Sequence, residues 1–235
     1  MNQDLTFPPD FGPEETEIIR RVLPYTMTSP ERIFALIQAI KYIVKNRIRG
    51  DVVECGVWKG GSIMAVAMTL LKLNCREKTL YLFDTFEGMT QPEEWDVTYY
   101  GQPAKDILDQ VRCYASLAEV ESTVCGMGYD RSKIRFVKGR VEETIPDQAP
   151  DEISLLRLDT DWYMSTRHEL NHLFPRLVQG GVIIIDDYGH WRGSQRATDE
   201  YVEQNDLPLL LHRIDYTGRI GIKVSASLLE GCRFE

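Results

Sequence analysis

ISLLRLDTDWY (153–163) and GGVIIIDDYGHW (180–191) are the two stretches that decide the fold of this chain. In each, a short aliphatic run stops abruptly at aspartates, as a buried strand does at the edge of a parallel sheet. Ligands of open α/β sheets bind at this carboxyl edge. We therefore expect one cluster of carboxylates there. Its members are Asp159, Asp161, Asp186 and Asp187.

Clustered carboxylates repel one another, so the group costs stability unless a cation or a catalytic role offsets the repulsion. A set of carboxylate oxygens without His or Cys favours a hard cation, Mg²⁺ or Ca²⁺, over zinc. The alternative is that each aspartate separately caps the helix that follows its strand. Capping explains any one of these aspartates easily and all of them together poorly.

The composition is that of one globular domain. The chain has 235 residues, of which 43% are hydrophobic and 27% charged, and no linker or repeat divides it. The formal net charge of −9 argues against nucleic acid or an anionic membrane as the main partner. The five cysteines form no CxxC pair, so neither a zinc site nor a disulfide framework is expected. With no secretory signal or apolar stretch long enough to span a membrane, we expect a cytoplasmic protein.

Strands and helices alternate from residue 51 onward. Strands are predicted at 51–55, 79–83, 133–137, 153–158 and 182–185, and helices at 62–73, 104–125, 165–174 and 194–204. Two more strands, near 208–214 and 219–224, form a closing hairpin. Before the sheet, a helix is predicted at 13–22 and a second one after the N-cap Ser29, with Pro30 at its first position. This order predicts a single domain over 1–235 with a doubly wound, mostly parallel α/β sheet.

DVVECGVWKGGS (51–62) has the pattern of a strand, a glycine turn and a helix start. Gly56 allows a tight turn, and Gly60 and Gly61 are predicted to let a ligand approach the helix N-terminus. The spacing departs from the dinucleotide motif because Trp58 takes the second glycine position and leaves little room for a pyrophosphate. Alone, this loop is a weak signal.

The next two strands add to that signal. TLYLFDTFEGM (79–89) ends its strand at Asp84, where nucleoside-binding α/β proteins place an acidic residue on the ribose hydroxyls. VKGRVEETIP (137–146) brings Gly139 to the same edge, in a position to lie along an adenine ring. The alternative for Asp84 is a helix cap.

The segment 87–103, EGMTQPEEWDVTYYGQP, interrupts the alternation. A long connection at the ligand edge is typical of a functional lid or of a disordered loop. Because Trp95, Tyr99 and Tyr100 suit a flat or ring-shaped substrate, we favour a lid that is mobile without the acceptor and whose Trp95 and Tyr99 contact it.

Three stretches resemble the macrocin O-methyltransferase family: ECGVWKGGS (54–62), LYLFDTFEGM (80–89) and LLRLDTDWYMSTRHELNHLFPRLVQGGVIIIDDYGHWRGSQRATDEY (155–201). The resemblance covers roughly residues 18 to 224. It implies a class I methyltransferase fold, Rossmann-like, with a seven-stranded sheet. It also implies an S-adenosylmethionine-dependent, Mg²⁺-assisted enzyme that methylates hydroxyls of sugars on natural products. The N-terminal helices at 13–47 and the lid come from the sequence pattern itself, and the lid is the part that resembles the family least.

The resemblance also implies residue roles. For the cofactor these residues are Thr26, Met27, Glu54, Gly56, Ser62, Asp84, Gly139, Arg140, Val141 and Asp159. Asp84 is expected at the ribose, the stretch from Gly139 to Val141 beside the adenine, and Thr26 and Met27 over the methionine end. The expected metal ligands are Asp159, Asp186 and Asp187, and Asp161 is the expected general base.

Methyl transfer to an alcohol needs an in-line nucleophile, exclusion of water and loss of the hydroxyl proton. A divalent cation lowers the pKa of a bound hydroxyl, and a nearby base accepts the proton. His190 is a second candidate for that base or for acceptor contact. We expect a small-molecule acceptor and a homo-oligomer. The alternatives are a phenolic or other acidic oxygen as acceptor, a catalytically silent cofactor-binding partner protein and a nicotinamide-dependent dehydrogenase.

Overall fold

A computed structural model describes residues 6–111 and 113–224. Its sheet has seven strands in the order β3-β2-β1-β4-β5-β7-β6. The strands are β1 (Asp51–Cys55), β2 (Leu80–Asp84), β3 (Ile134–Lys138), β4 (Ile153–Leu158), β5 (Leu177–Ile185), β6 (His212–Arg213) and β7 (Arg219–Ile222). The α-helices are α1 (Pro13–Val22), α2 (Pro30–Lys45), α3 (Gly61–Lys72), α4 (Leu108–Val111), α5 (Leu117–Cys125), α6 (Val141–Thr144), α7 (Tyr163–Leu173) and α8 (Arg192–Gln204).

The first five strands pair in parallel, and β7 and β6 run antiparallel at one edge. The predicted doubly wound sheet with a C-terminal antiparallel hairpin is confirmed. Alternate residues of the parallel strands belong to two separate hydrophobic cores, because successive side chains point to opposite faces of the sheet. In β1, for example, Val52 belongs to the core that includes residues of α1, α2, α3 and α5, whereas Val53 belongs to the core that includes residues of α6, α7 and α8. The described residues include no helix long and apolar enough to cross a membrane.

The N-terminal helices begin as the sequence predicts. Ser29 caps α2, its hydroxyl accepting a hydrogen bond of 3.2 Å from the backbone N–H of Arg32, and Pro30 occupies the first turn. The buried stripe of α2, which includes Ile33, Ile37 and Ile40, packs against the sheet and α3. This packing places the start of α2 beside the carboxyl edge of the sheet.

The predicted helix over 104–125 is wrong. The chain forms a 3₁₀ turn at Ala104–Asp106, then α4, and starts again with α5 after residue 116. A capping box starts α5, because Ser116 Oγ accepts from the Glu119 N–H while a Glu119 oxygen accepts from the Ser116 N–H at 2.9 Å. The Ser-x-x-Glu spacing of this box is visible in the sequence, so the break is readable from it.

Strand boundaries also differ from the prediction at the far edge. β5 begins at Leu177 rather than at 182, since Gly180 and Gly181 continue the strand through a register irregularity beside β4. β6 has only two residues, because Leu207, Leu209 and Leu211 pack against the core beside β5 instead of extending the hairpin.

Strand register brings the acidic motifs together. Leu158, the last residue of β4, lies opposite Ile185, the last residue of β5. The backbone N–H of Asp186 donates to the Leu158 carbonyl and that of Asp159 to the Cys55 carbonyl, each at 2.9 Å. The first aspartates after the two strands are therefore neighbours at the carboxyl edge.

Candidate active site

A cavity of about 410 Å³ opens at the carboxyl edge of β1, β2, β4 and β5. Turns that follow the strands form most of its wall, and the segment before α2 closes one side. The predicted acidic residues Asp84, Asp159, Asp161, Asp186 and Asp187 all line it. The structure thus joins the carboxylate cluster and the glycine loop in one site.

Asp159, Asp186 and Asp187 form the group suited to a metal ion. One carboxylate oxygen from each lies within 4.8 Å of the others. Asp159 keeps 27% of its side chain exposed, toward the cavity, whereas Asp186 and Asp187 are buried. Oxygen ligands at this spacing fit a hard divalent cation.

Arg157 lies behind this group, inside the sheet. Its guanidinium contacts Glu54 at 2.6 Å, Asp159 at 2.8 Å and Asp186 at 2.7 Å, and it donates to Thr28 Oγ1 at 3.0 Å. Burial opposes its charge, but the carboxylates of Asp159, Asp186 and Glu54 raise the pKa of Arg157 well above its usual range. It is a permanent cation beneath the cluster.

Arg32, from the first turn of α2, is a second cation at the same carboxylates. Its Nη1 contacts Asp186 Oδ2, and its Nε lies 3.0 Å from Asp215 Oδ2. The Ser29 hydroxyl donates to the same Asp215 oxygen at 2.6 Å. Arg32 therefore ties α2, β5 and the turn before β7 together at Asp186.

Even with two arginines nearby, the cluster is short of positive charge. Burial raises the pKa of Asp159 well above its usual range against the opposing effect of Arg157. Burial, with Asp161 and Asp186 beside it, does the same for Asp187. A divalent cation would supply the missing charge and allow both carboxyl groups to ionise. The residues thus fit a metal ion.

Asp161 occupies a strained turn next to the cluster. Its backbone φ is 67°, in the left-handed region. The Trp191 indole N–H donates to Asp161 Oδ1 at 2.7 Å, and the Asp161 N–H donates to Asp187 Oδ2 at 3.2 Å. Burial and the neighbouring Asp159 raise the pKa of Asp161 to about 8. A carboxylate with such a raised pKa is a competent proton acceptor.

Glu169 lies fully buried under this turn. Its Oε1 accepts from Thr160 Oγ1 at 3.0 Å, whereas its Oε2 has no hydrogen-bond partner among the described residues. Burial raises its pKa well above the usual range, although the hydrogen bond from Thr160 opposes this. Glu169 is therefore a neutral acid that accepts a hydrogen bond from Thr160, the residue between Asp159 and Asp161.

The glycines of the first loop serve the chain's own packing. A side chain at Gly56 (φ 80°) would lie 2.0 Å from the Asp159 carbonyl oxygen, and one at Gly60 (φ 87°) would lie 2.6 Å from Val124. At Gly61 it would meet Thr26 at 2.7 Å. The prediction that Gly60 and Gly61 make room for a ligand is therefore wrong, because neighbouring chain occupies that space.

Asp84 is held by this loop. Its Oδ2 accepts from the backbone N–H groups of Val57 at 2.7 Å and Trp58 at 3.0 Å, and its Oδ1 accepts from Phe86 at 2.7 Å. Asp84 still lines the cavity and offers further lone pairs. It thus fixes the loop conformation in addition to facing the predicted ribose position.

Most of the remaining predicted cofactor residues line the cavity. These residues are Thr26, Met27, Gly56, Ser62, Gly139, Arg140, Val141 and Asp159. Glu54 does not, because it is buried in the sheet and paired with Arg157. Burial raises the pKa of Glu54 to about 7 against the effect of Arg157. Its predicted role at the cofactor stays a prediction, and in this structure Glu54 is connected to the site through Arg157.

His190 also lines the cavity, and its backbone N–H donates to the Asp187 carbonyl at 3.0 Å. Its Nδ1 is 2.8 Å from the Tyr216 hydroxyl, and its ring packs edge-on against Trp191. Burial and then Arg32 lower the pKa of His190, so the neutral imidazole is favoured. The structure brings both His190 and Asp161 into contact with Trp191.

The segment 87–103 divides into two parts. Its first part, including Met89 and Thr90, lines the cavity. Its second part is anchored by Asp96, which is buried and accepts from the Tyr163 N–H at 2.8 Å. Trp95 packs on Tyr163 and under Arg196, and it is not a cavity residue. The predicted contacts of Trp95 and Tyr99 with the acceptor stay predictions, as does the mobility of the segment, and neither residue lines the cavity in this arrangement.

Sequence reasoning missed four side chains that shape the site. They are Arg32, Arg157, Glu169 and Trp191. Arg157 carries a readable signal, because a cation inside the apolar run ISLLRL requires a buried partner. The others lie on helices or loops, where sequence alone does not show which residues meet.

The sequence profile described as Macrocin-O-methyltransferase (TylF) matches residues 18–220. The chain belongs to this family. The matched region contains the carboxylate cluster, the glycine loop and Asp84. The protein is therefore an S-adenosylmethionine-dependent O-methyltransferase with the class I fold, and the resemblance in its motifs is confirmed.

Named relatives support the same assignment. Demethyldecarbamoylnovobiocin O-methyltransferase of Streptomyces niveus is 31% identical over 196 residues, covering 83% of this chain and 74% of that protein. The 8-demethyl-8-(2,3-dimethoxy-alpha-L-rhamnosyl)-tetracenomycin-C 4'-O-methyltransferase of Streptomyces olivaceus is 29% identical over 214 residues, covering 88% and 73%.

Among solved structures, the O-methyltransferase NovP superposes on this macrocin O-methyltransferase family member with a TM-score of 0.78 and 28% identity. The match covers 86% of this chain and 83% of NovP. The seven-stranded sheet and its antiparallel edge are therefore those of a known methyltransferase fold.

Proposed function

We propose that this enzyme transfers a methyl group from S-adenosylmethionine to a hydroxyl of a sugar carried by a natural product, with Mg²⁺ as a cofactor. The observation that carries the proposal is the carboxylate cluster of Asp159, Asp186 and Asp187 beside the cavity. The name of the Streptomyces olivaceus relative, a methyltransferase that acts on a rhamnosyl-tetracenomycin, supports a sugar acceptor.

In this proposal, Asp159, Asp186 and Asp187 hold the metal. When bound, the cation lowers the pKa of a sugar hydroxyl and orients it. The donor set is all carboxylate oxygen, which favours Mg²⁺ over zinc. Arg157 and Arg32 contact Asp186 and hold its carboxylate in place.

The hydroxyl proton has two candidate acceptors. Asp161 has a raised pKa and one oxygen fixed by Trp191. His190 is neutral and has its Nδ1 directed at Tyr216. Asp161→Asn and His190→Asn variants separate the candidates. The variant that lacks the base should have a lower kcat and nearly unchanged affinity for S-adenosylmethionine. Its profile of kcat against pH should also lack one of the two limbs.

The cofactor is proposed to lie along the ends of β1, β2 and β3. Asp84 would accept from the ribose hydroxyls, and Gly139 to Val141 would border the adenine. Thr26 and Met27 would cover the methionine end, where Met27 is 64% exposed at the open side of the cavity. A small-molecule acceptor and a homo-oligomer complete the proposal.

A turnover assay tests the function. S-adenosylmethionine is incubated with methyl α-L-rhamnoside, 4-methylumbelliferyl α-L-rhamnoside or catechol, and the products are identified by mass spectrometry and NMR. We expect a methyl ether on a sugar hydroxyl, loss of turnover in EDTA and recovery with MgCl₂. Methylation of catechol alone would favour a phenolic acceptor, and full activity in EDTA would remove the metal from the proposal.

A further inference from the structure

Exposed aromatic side chains surround one side of the cavity mouth. Tyr216 lines the cavity and remains half exposed. Tyr99 and Tyr100, on the segment 87–103, lie near Tyr216 outside the cavity lining. Tyr100 is 84% exposed, and an exposed aromatic group of several neighbouring rings is typical of a binding surface. We call Tyr99, Tyr100 and Tyr216 the tyrosine rim.

The backbone holds the rim against the site. The Tyr99 N–H donates to the His190 carbonyl at 2.8 Å, and Thr98 forms an antiparallel bridge with Trp191. The Arg192 guanidinium donates to the Tyr99 carbonyl at 2.9 Å. The rim is therefore continuous with the wall that carries His190, and its position is set by the fold.

The rings themselves have apolar faces available. Tyr99 and Tyr100 meet edge to face with centroids 5.6 Å apart, and Tyr216 meets His190 edge to face at 5.9 Å. Edge-to-face pairs leave ring faces open for stacking. Burial, with Tyr100 and Tyr99 nearby, raises the pKa of Tyr216, so this phenol stays neutral. An uncharged ring system suits this surface better than an ion.

The size of the cavity determines what must lie outside it. Its 410 Å³ is near the lower end of ligand pockets, which span about 300–1,000 Å³. The cofactor and the ring that receives the methyl group share this volume. The rest of a glycosylated acceptor must then extend through the mouth, past Tyr216 and His190.

We propose that the tyrosine rim binds the aglycone of the acceptor, a planar unsaturated ring system, while the sugar enters the cavity. The inference rests on the proposed function and deepens it by naming the chemistry of the part that is not methylated. The rim then determines specificity without touching the reacting atoms.

Calorimetry in the presence of S-adenosylhomocysteine tests the rim with two rhamnosides that differ only in aglycone. Wild type should bind 4-methylumbelliferyl α-L-rhamnoside roughly 3- to 10-fold more tightly than methyl α-L-rhamnoside, as expected for one or two ring contacts. Tyr100→Ala and Tyr216→Ala should lose this preference, whereas Tyr216→Phe should retain it. S-adenosylhomocysteine titration checks that each variant keeps its cofactor site.

Trp95→Leu is the matched control, because Trp95 is an exposed aromatic residue of the same segment that packs away from the cavity. It should keep the wild-type preference. Equal binding of the two rhamnosides by wild type, or a preference that survives in both alanine variants, overturns the proposal. So does a change of oligomeric state in Tyr100→Ala without a change in binding, which would make the rim a subunit interface.

Free 4-methylumbelliferone separates failure of the rim from failure of the proposed function. If neither rhamnoside binds but this probe binds wild type and not Tyr100→Ala, the rim stands and the sugar acceptor is wrong. If the probe also fails to bind, or binds the variant equally, the rim proposal is overturned.

Discussion

Arg157 and Glu54 form an ion pair inside the sheet, with 2.6 Å between Nη1 and Oε1 and only 3% of each side chain exposed. The strands that carry them are adjacent, and the two residues are register partners. This pair connects the first strand to the carboxylate cluster, because the same guanidinium also reaches Asp159 and Asp186.

The buried guanidinium is expected to dominate the stability of this edge. Arg157→Met should lower the free energy of unfolding by about 3–5 kcal/mol, because it leaves buried carboxylates unpaired. Lys72→Met is the control. Its pair with Glu17 has a similar 2.8 Å distance but 34% and 61% exposed side chains, so its loss should leave the free energy of unfolding nearly unchanged. Urea unfolding measures both, and equal losses would contradict the role of burial.

Metal binding is expected to be visible in stability as well as in turnover. MgCl₂ should raise the melting temperature of the wild type by mass action, because only the folded state assembles the three carboxylates. Asp159→Asn and Asp187→Asn should abolish this shift. Asp151→Asn, an exposed aspartate away from the cavity, is the control. An unchanged shift in the first two variants would remove them from the metal site.

Asp84 is expected to contribute to cofactor binding in two ways. Asp84→Ala should weaken the binding of S-adenosylhomocysteine by about 1–3 kcal/mol, because a charge-assisted hydrogen bond to ribose is lost. It also frees the Val57 and Trp58 amides, so the loop contributes to the loss. Calorimetry with the 2'-deoxy analogue of S-adenosylhomocysteine separates the two effects. A loss of equal size for both ligands would assign Asp84 to the loop alone.

Glu169 is expected to make stability depend on pH. Its pKa is raised in the folded state, so folding favours its protonated form. The stabilisation is full below the unfolded pKa near 4.5 and is lost as pH rises toward the folded pKa. Glu169→Gln removes this one proton, so the stability difference between wild type and variant should change by at most about 1.4 kcal/mol per pH unit. Urea unfolding from pH 5 to 8 measures the free energy of unfolding of both proteins. If the two free energies change with pH in parallel, Glu169 is not neutral in the folded state.

The anchor of the segment 87–103 is expected to be Asp96. Asp96→Ala should free the Tyr163 and Glu93 amides and cost about 1–3 kcal/mol. Hydrogen exchange should then rise at Tyr99, whose N–H is bonded to His190 in the wild type. Gly193→Ala should act similarly, because its side chain would lie 2.1 Å from Asp96 Oδ1. If the Tyr99 amide exchanges in both variants at the same rate as in the wild type, Asp96 is not the anchor of the segment.

The sequence was sufficient for the order of elements and for the position of the carboxylates. Aliphatic runs ending at Asp159 and Asp186 specify buried strands, and the parallel arrangement then brings their ends to one edge. Helix starts with a cap signal, such as Ser29, are local and therefore readable. The break before α5 is equally local, since Ser116 and Glu119 carry its signal.

Only the tertiary structure decided which partners surround those carboxylates. Arg32 comes from α2 and Trp191 from the start of α8, and their contacts with Asp186 and Asp161 span 154 and 30 residues of chain. The same holds for the placement of residues in one segment, where the Trp95 ring packs on Tyr163 of α7 and the Tyr99 N–H donates to the His190 carbonyl. The order of strands and helices along the chain follows from local hydrophobic patterns, whereas side-chain partnerships depend on packing between elements distant in sequence, which no local pattern records.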